Sequence, residues 1–183
     1  PLPTAYATSV SGPNPIYPGY YCATDSGVHV YMPSSDAGVT YQLWRGTTTI
    51  GSAITGTGSA IDFGLQNVAG TYTVTAIDMA TTCTNNMLGS AAVHIVPLPD
   101  VHNVTGGGNY CPGGAGVHIG LSSSQSAISY QLFNGSLITG SPVTGMGSSI
   151  DMGLQTVPGT YTIVATNSAT GCTETMPGSE SVG

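Results

Sequence analysis

The chain has 183 residues, of which 5% are Asp, Glu, Lys or Arg, against about 25% in an ordinary domain. Lysine is absent, Arg45 is the single arginine and the net charge is −7. That balance excludes phosphate-backbone binding, which takes clustered Lys and Arg, and no apolar run approaches the roughly 18 residues that span a bilayer. Neither nucleic acid nor membrane insertion is therefore expected. Ser, Thr, Asn and Gln, bound glycan, or burial in an assembly must do the work that surface charge does elsewhere.

In chain order, Pro1 to Tyr21 reads as a leader in which Tyr6, Val10, Ile16 and Tyr20 stand among Pro, Gly and Ser. One irregular first strand is expected there. Pro1-Leu2-Pro3 lacks an initiator Met, a charged n-region and an apolar h-region, so it reads as the start of a mature or excised segment.

From Cys22 the chain repeats itself. Cys22 to Val93, shifted by 89 residues, lies on Cys111 to Val182 without a gap, and 35 of the 72 positions are identical. The repeat sets a folding unit of about 90 residues. Two domains are expected, residues 1–96 and 97–183, joined at Pro97-Leu98-Pro99, where proline favours a short, stiff, extended joint.

Within each repeat the apolar residues alternate. Val28, Val30 and Met32 share one face, as do Val117, Ile119 and Leu121, and period-two alternation marks a half-buried strand. The next strand buries Val39, Tyr41 and Leu43, or Ile128, Tyr130 and Leu132. It ends at Arg45-Gly46 in one copy and at Asn134-Gly135, a tight-turn signal, in the other. Residues 51–58 and 140–147 read as a glycine-rich connection with a short edge strand. Strands at 59–63 and 148–152 follow, then the longest ones, 70–77 and 159–166, with Tyr72, Val74 and Ala76 inward. A last strand is expected at 90–96. The second copy stops at Gly183, opposite His94, so its last strand should be cut short and the parent chain should continue. No ten-residue stretch shows a helical apolar period. The expected class is all-β: two tandem immunoglobulin-like β-sandwich domains of about seven strands each.

Cysteines number four, two per repeat and 61 residues apart in each. Without Cys-x-x-Cys spacing, zinc and thioredoxin-like chemistry are not expected. The economical reading is one disulfide per domain, Cys22–Cys83 and Cys111–Cys172, each restricting the unfolded chain by roughly 4 kcal/mol in the entropic model. Bridges of this kind imply an oxidising, extracellular setting. The alternative is four buried free thiols.

Other candidate sites are few. His29 and His118 occupy equal positions on the outward face of their strand, with no second ligand fixed beside them by spacing, so exposed strand histidines are expected and no metal. Asp62 and Asp151 are the only acidic residues that recur; each is expected to accept backbone N–H groups of the adjacent turn, calcium ligation being the alternative. Trp44 and Phe133 match in position and face away from the main core. Such aromatics pack beneath the glycine-rich connection, make an interface, or stack on sugar rings. Asn103-Val104-Thr105 and Asn134-Gly135-Ser136 match the N-glycosylation sequon. No set of acid, base and nucleophile recurs, so neither catalysis nor a cofactor is expected.

The order Tyr-Cys, Gly-Val-His-Val, Tyr-Gln-Leu, Gly-x-Gly-Ser, Gly-Thr-Tyr-Thr-Val and Cys-Thr resembles the immunoglobulin-like repeats strung through very large secreted surface proteins of Bacteroidetes-type bacteria. The stretch Ala69-Gly70-Thr71-Tyr72-Thr73-Val74 is also similar to a strand of polycystic-kidney-disease-type and fibronectin-like sandwiches. The resemblance implies export to the cell surface and a role in filaments, adhesion or surface motility, with no catalytic residues to carry over. The cysteines depart from immunoglobulin domains by lying outside their strands, so each bridge should staple one end of its sandwich. The expected function is a structural module of an extracellular fibre or stalk, its partners copies of itself or adjacent repeats. A surface polysaccharide, bound as an adhesin binds it, is the alternative.

Overall fold

The computed structural model describes residues 1–14 and 17–183; Ile16 of the leader lies outside the described residues. All regular structure among them is strand. The chain divides into two compact units, Pro1–Val96 and Pro97–Gly183.

The first unit runs β1 (Ser9–Ser11), β2 (Tyr20–Cys22), β3 (Val28–Met32), β4 (Val39–Arg45), β5 (Thr48–Thr55), β6 (Ile61–Gln66), β7 (Gly70–Asp78), β8 (Thr84–Asn86) and β9 (Ala91–Val96). One sheet has the order β1-β3-β6; the other has β2-β9-β7-β4-β5, with β8 on β7. The inward residues of β3, β4 and β7 are those the alternation selects. Val28, Val30, Met32, Tyr41, Leu43, Tyr72, Val74 and Ala76 are all 1% exposed or less and form one core.

The second unit runs β10 (Val104–Gly106), β11 (Val117–Leu121), β12 (Ile128–Asn134), β13 (Leu137–Thr144), β14 (Ile150–Gln155), β15 (Gly159–Asn167), β16 (Thr173–Thr175) and β17 (Glu180–Val182). Its sheets are β10-β11-β14 and β13-β12-β15-β16, with β17 on β15. Tyr130, Leu132, Tyr161 and Ile163 centre its core.

The hydroxyls of the four fully buried tyrosines, Tyr41, Tyr72, Tyr130 and Tyr161, are satisfied, as burial demands. Tyr41 and Tyr130 hydroxyls accept the Asp36 and Gln125 backbone N–H groups, each at 2.8 Å. Tyr72 and Tyr161, near the start of β7 and β15, donate to the Val68 and Val157 carbonyls at 2.8 and 2.7 Å. That return bond from a strand-start tyrosine to backbone a few residues upstream is the tyrosine corner of immunoglobulin-type sandwiches. The recurring Gly-Thr-Tyr-Thr motif is built around it.

The structure corrects several expectations. The leader holds two strands, β1 and β2, and the latter runs parallel to β9, with Tyr20 opposite His94 and Cys22 opposite Val96. The glycine-rich connections are mostly strand: β5 and β13 are eight residues each. A bulge disguises them. Tyr41 faces Ile54 but Leu43 faces Ile50, so two extra residues sit on β5, and β13 does the same against β12. Gln42 fills the gap, its Nε2 donating to the Leu43 and Ile50 carbonyls at 2.9 and 3.0 Å. Gln131 repeats this with Leu132 and Thr139. The middle residue of Tyr-Gln-Leu is thus explained: its amide supplies hydrogens the bulged ladder cannot.

The expected bridges Cys22–Cys83 and Cys111–Cys172 are not formed. Cys22 and Cys172 are disulfide-bonded, whereas Cys83 and Cys111 carry free thiols. Geometry explains why neither repeat bridges itself. Cys22 pairs with Val96, beyond the Gly70 end of β7, because Val93 is already opposite Gly70. Cys83 accepts the Asp78 N–H at 2.9 Å, at the other end of β7. Nine strand residues separate the two ends by about 27 Å, and a disulfide needs Cα atoms within about 7 Å. In the second unit Tyr110 donates to Gly183, past the Gly159 end of β15, while Cys172 accepts the Asn167 N–H at the far end. Each unit therefore carries one cysteine at each of its two ends.

Candidate functional site

The outward face of the smaller sheet carries a feature that the sequence hid. On β3, His29 lies between buried Val28 and Val30 and turns outward, as alternation requires. A bulge between His29 and Tyr31 shifts the register against β6. It leaves Asp62, the partner of Tyr31, within reach of the ring: His29 Nδ1 and Asp62 Oδ2 are 2.7 Å apart. The second unit repeats the pair, His118 Nδ1 to Asp151 Oδ2 at 2.8 Å, across an equivalent bulge. The expectation that each histidine stands without a recurring neighbour is corrected. Thirty-three residues separate the partners, so only the pairing of β3 with β6 brings them together.

The carboxylates also do what the turn reading expects. Asp62 Oδ1 and Asp151 Oδ1 accept the Gly64 and Gly153 N–H groups, each at 2.8 Å. The hydrogen bond from His118, with that of Gly153 behind it, holds the Asp151 carboxyl below the usual carboxylate range. A depressed carboxylate contributes stability above its unfolded pKa and loses it as pH falls through the folded one. The side chains are 61% and 60% exposed, so solvent screens the pair and its contribution is small. His118→Ala is expected to move the Asp151 titration midpoint upward, toward the ordinary value, followed by carboxyl-carbon NMR. An unmoved midpoint would show that Gly153 alone sets it.

Chemically the pair is limited. In the first unit Ser11 lies opposite His29 in the β1–β3 register, and Ser, His and Asp are the components of a hydrolytic triad. No hydrogen bond joins Ser11 to His29, and in the second unit the β10 strand ends at Gly106, opposite Ile119. No group of three or more His, Cys, Asp or Glu that could hold a metal exists among the described residues. The pairs pin β3 to β6 and β11 to β14 from outside.

Trp44 and Phe133 occupy one register position in the two units. Trp44 faces Thr49 on β5 and Thr73 on β7; Phe133 faces Ile138 and Thr162. Both are half-buried. The Trp44 indole N–H donates to Thr75 Oγ1 at 2.8 Å, which ties the ring to the face of its own sheet.

The edges of the larger sheets stand out more. β5 and β13 are the terminal strands of their sheets. Neither Thr48–Thr55 nor Leu137–Thr144 contains a charged residue, and Leu137 and Ile138 are 71% and 70% exposed. The sequence signal was present as a lack of charge, but the bulge glycines Gly51 and Gly140 made these stretches read as loop.

No protein-family model matches this chain, and no curated protein sequence does. Solved structures do match. The fibronectin(III)-like modules of Clostridium thermocellum CbhA align over 94% of this chain and 92% of theirs, at 12% identity and a TM-score of 0.49. Murine CEACAM1b aligns over 97% and 98%, at 10% identity and 0.45. The human OSCAR ligand-binding domain aligns over 100% and 96%, at 14% identity and 0.37. Strand order carries the fold class. In chain order β1, β3 and β6 take the places of strands A, B and E of an immunoglobulin sandwich, and β4, β5, β7 and β9 those of C, C′, F and G. This is an all-β, immunoglobulin- and fibronectin-III-like fold. No helix is long and apolar enough to cross a membrane among the described residues.

Proposed function

We propose that this chain is a structural module of an extracellular fibre or stalk whose copies associate through their sheet edges. The observation that carries this is the pair of long, uncharged terminal strands, β5 and β13, repeated at one place in both units. An open strand edge presents unpaired N–H and C=O groups to any similar strand, and soluble proteins normally guard such edges with charge, above all lysine. This chain has no lysine to place there. The bulge in each edge breaks it into shorter stretches, so pairing is local and reversible. Low charge also leaves little long-range repulsion between copies. Oxidised cysteines fit an extracellular place. The resemblance to tandem repeats of secreted bacterial surface proteins points the same way.

Sedimentation velocity over a concentration series tests this reading, under reducing conditions so that only non-covalent contacts count. The average mass of the wild-type chain is expected to rise with concentration. The double variant Ser52→Lys, Ser141→Lys, which puts a charge on each edge, is expected to stay monomeric. A wild-type chain that remains a monomer throughout would end the proposal. The carbohydrate-binding alternative at Trp44 draws less support, because the indole N–H that would meet a sugar hydroxyl is engaged by Thr75.

A further inference from the structure

The duplicated His–Asp pair sits in two different surroundings. Both copies hold the contact itself, at 2.7 Å in the first unit and 2.8 Å in the second. Around the first pair the outward face of β3 also carries Tyr31, since Val28, Val30 and Met32 take the inward positions. Tyr31 lies opposite Asp62 on β6, and Ser11 lies opposite His29 on β1. Ser11, His29, Tyr31 and Asp62 line a cleft of about 460 Å³. Another cleft of about 460 Å³ adjoins it, sharing Ser11 and His29 as a wall and reaching Leu65 and Asp25. Both volumes fall in the range of small-molecule sites, roughly 300–1,000 Å³.

The second unit keeps the pair and loses the rest. Gly120 stands in the place of Tyr31, opposite Asp151. Gly107, whose N–H donates to the His118 carbonyl at 2.9 Å, takes the place beside His118 that Ser11 takes beside His29. The cleft at His118 is only about 200 Å³. Pinning two strands needs the pair alone, and both units have it. The aromatic ring, the hydroxyl and the larger clefts belong to the first unit, and pinning does not account for them.

We propose that the cleft at Tyr31 is a binding site for an uncharged saccharide, a function separate from the sheet edges and from Trp44, which lies on the other sheet. Each group matches one part of a pyranose. An ionised carboxylate only accepts hydrogen bonds, so His29 Nδ1 carries the hydrogen that meets Asp62 Oδ2. Nε2 of the neutral ring is then an acceptor for a sugar hydroxyl. Asp62 Oδ1 takes the Gly64 N–H, and each carboxylate oxygen keeps a lone pair for a further donor. The Ser11 hydroxyl both gives and accepts. The Tyr31 ring supplies an apolar face with a polar tip, a surface on which the C–H groups of a sugar ring pack. Charge selects against acidic sugars: lysine is absent, Arg45 ends β4 in the other sheet, and Asp62 and Asp25 repel a carboxylate or sulfate. A basic ligand gains little, because Asp62 is 54% exposed and both its oxygens already hold a donor.

Histidine ring NMR of the full chain tests it, because His29 and His118 report the two surroundings in one spectrum. Methyl glycosides of glucose, galactose, mannose and N-acetylglucosamine are titrated in, with methyl glucuronide as the acidic probe and methylguanidinium as the basic one. At least one neutral glycoside is expected to move the His29 Cε1–Hε1 signal to a plateau and leave His118 in place. Tyr31→Ala is expected to weaken that binding about tenfold, and Tyr31→Phe, which keeps the ring, to retain it. Circular dichroism matching the wild type confirms that each variant folds. A His29 signal that no neutral glycoside moves up to its solubility limit would overturn the proposal. Parallel movement of His118 would do the same, as would a stronger response to the glucuronide or to methylguanidinium than to every neutral sugar. The edge reading is decided separately, by sedimentation without sugar.

Discussion

Tyr130→Ala is expected to destabilise the second unit by about 3–5 kcal/mol, the range for deleting a fully buried aromatic ring. The ring is wholly buried between Ile128 and Leu132 on β12, in the centre of its core. Its hydroxyl accepts the Gln125 N–H at 2.8 Å, so truncation also orphans a part-buried backbone donor. Tyr130→Phe keeps the ring and removes only that acceptor, and about 1 kcal/mol is expected. Urea unfolding by circular dichroism measures both losses. Trp44, the single tryptophan, lies in the first unit, and its fluorescence midpoint reports that unit separately. If the alanine variant loses no more than the phenylalanine variant, the ring is not the keystone of this core.

Gly106→Ala is the second large effect. Gly106 ends β10 with φ +100, and a Cβ built there would lie 2.0 Å from the His118 carbonyl oxygen and 2.9 Å from its carbon. These are backbone atoms, so no rotamer change relieves the overlap. Backbone displacement costs about 1–3 kcal/mol, and an unsuitable positive φ adds about 1–3 kcal/mol. The displaced atoms belong to β11 beside the His118–Asp151 pair, so loosening should appear there first. Gly108→Ala separates the two terms: its φ is +121 but nothing lies within 4 Å of the added carbon. Thermal melts are expected to rank wild type above Gly108→Ala, and Gly108→Ala above Gly106→Ala. Equal losses in the two variants would mean that conformation, not the close approach of β10 to β11, makes glycine necessary.

Much of the architecture was legible in the residues. Alternation named the inward faces of β3, β4 and β7 residue by residue, because the side-chain period of a strand is a local property. The tyrosines of the core were selected by the same pattern. Bulges were not legible. The extra residues in β5 and β13 break the alternation over Gly51 and Gly140, and a broken pattern with glycine reads as a loop. The His29–Asp62 and His118–Asp151 pairs were missed for a related reason, since the partners lie on different strands and meet through an irregular register.

The cysteines show where the boundary lies. Sequence determined that they recur at one spacing and that no metal motif holds them; the expectation that all of them lie outside strands failed at Cys22, which ends β2. Sequence also held an unread clue to their pairing. Five strands, β3 to β7, lie between Cys22 and Cys83, and an odd number of end-to-end traverses delivers the chain to the opposite end. Only the tertiary structure turned that parity into a distance, because the span of a sandwich and the assignment of each strand to a sheet are set by long-range pairing. Period-two alternation with no helical period determined the all-β class, and composition determined the scarcity of charge. The register between strands decided that neither repeat closes its own bridge, which histidine meets which carboxylate and which strands are left open at the edges.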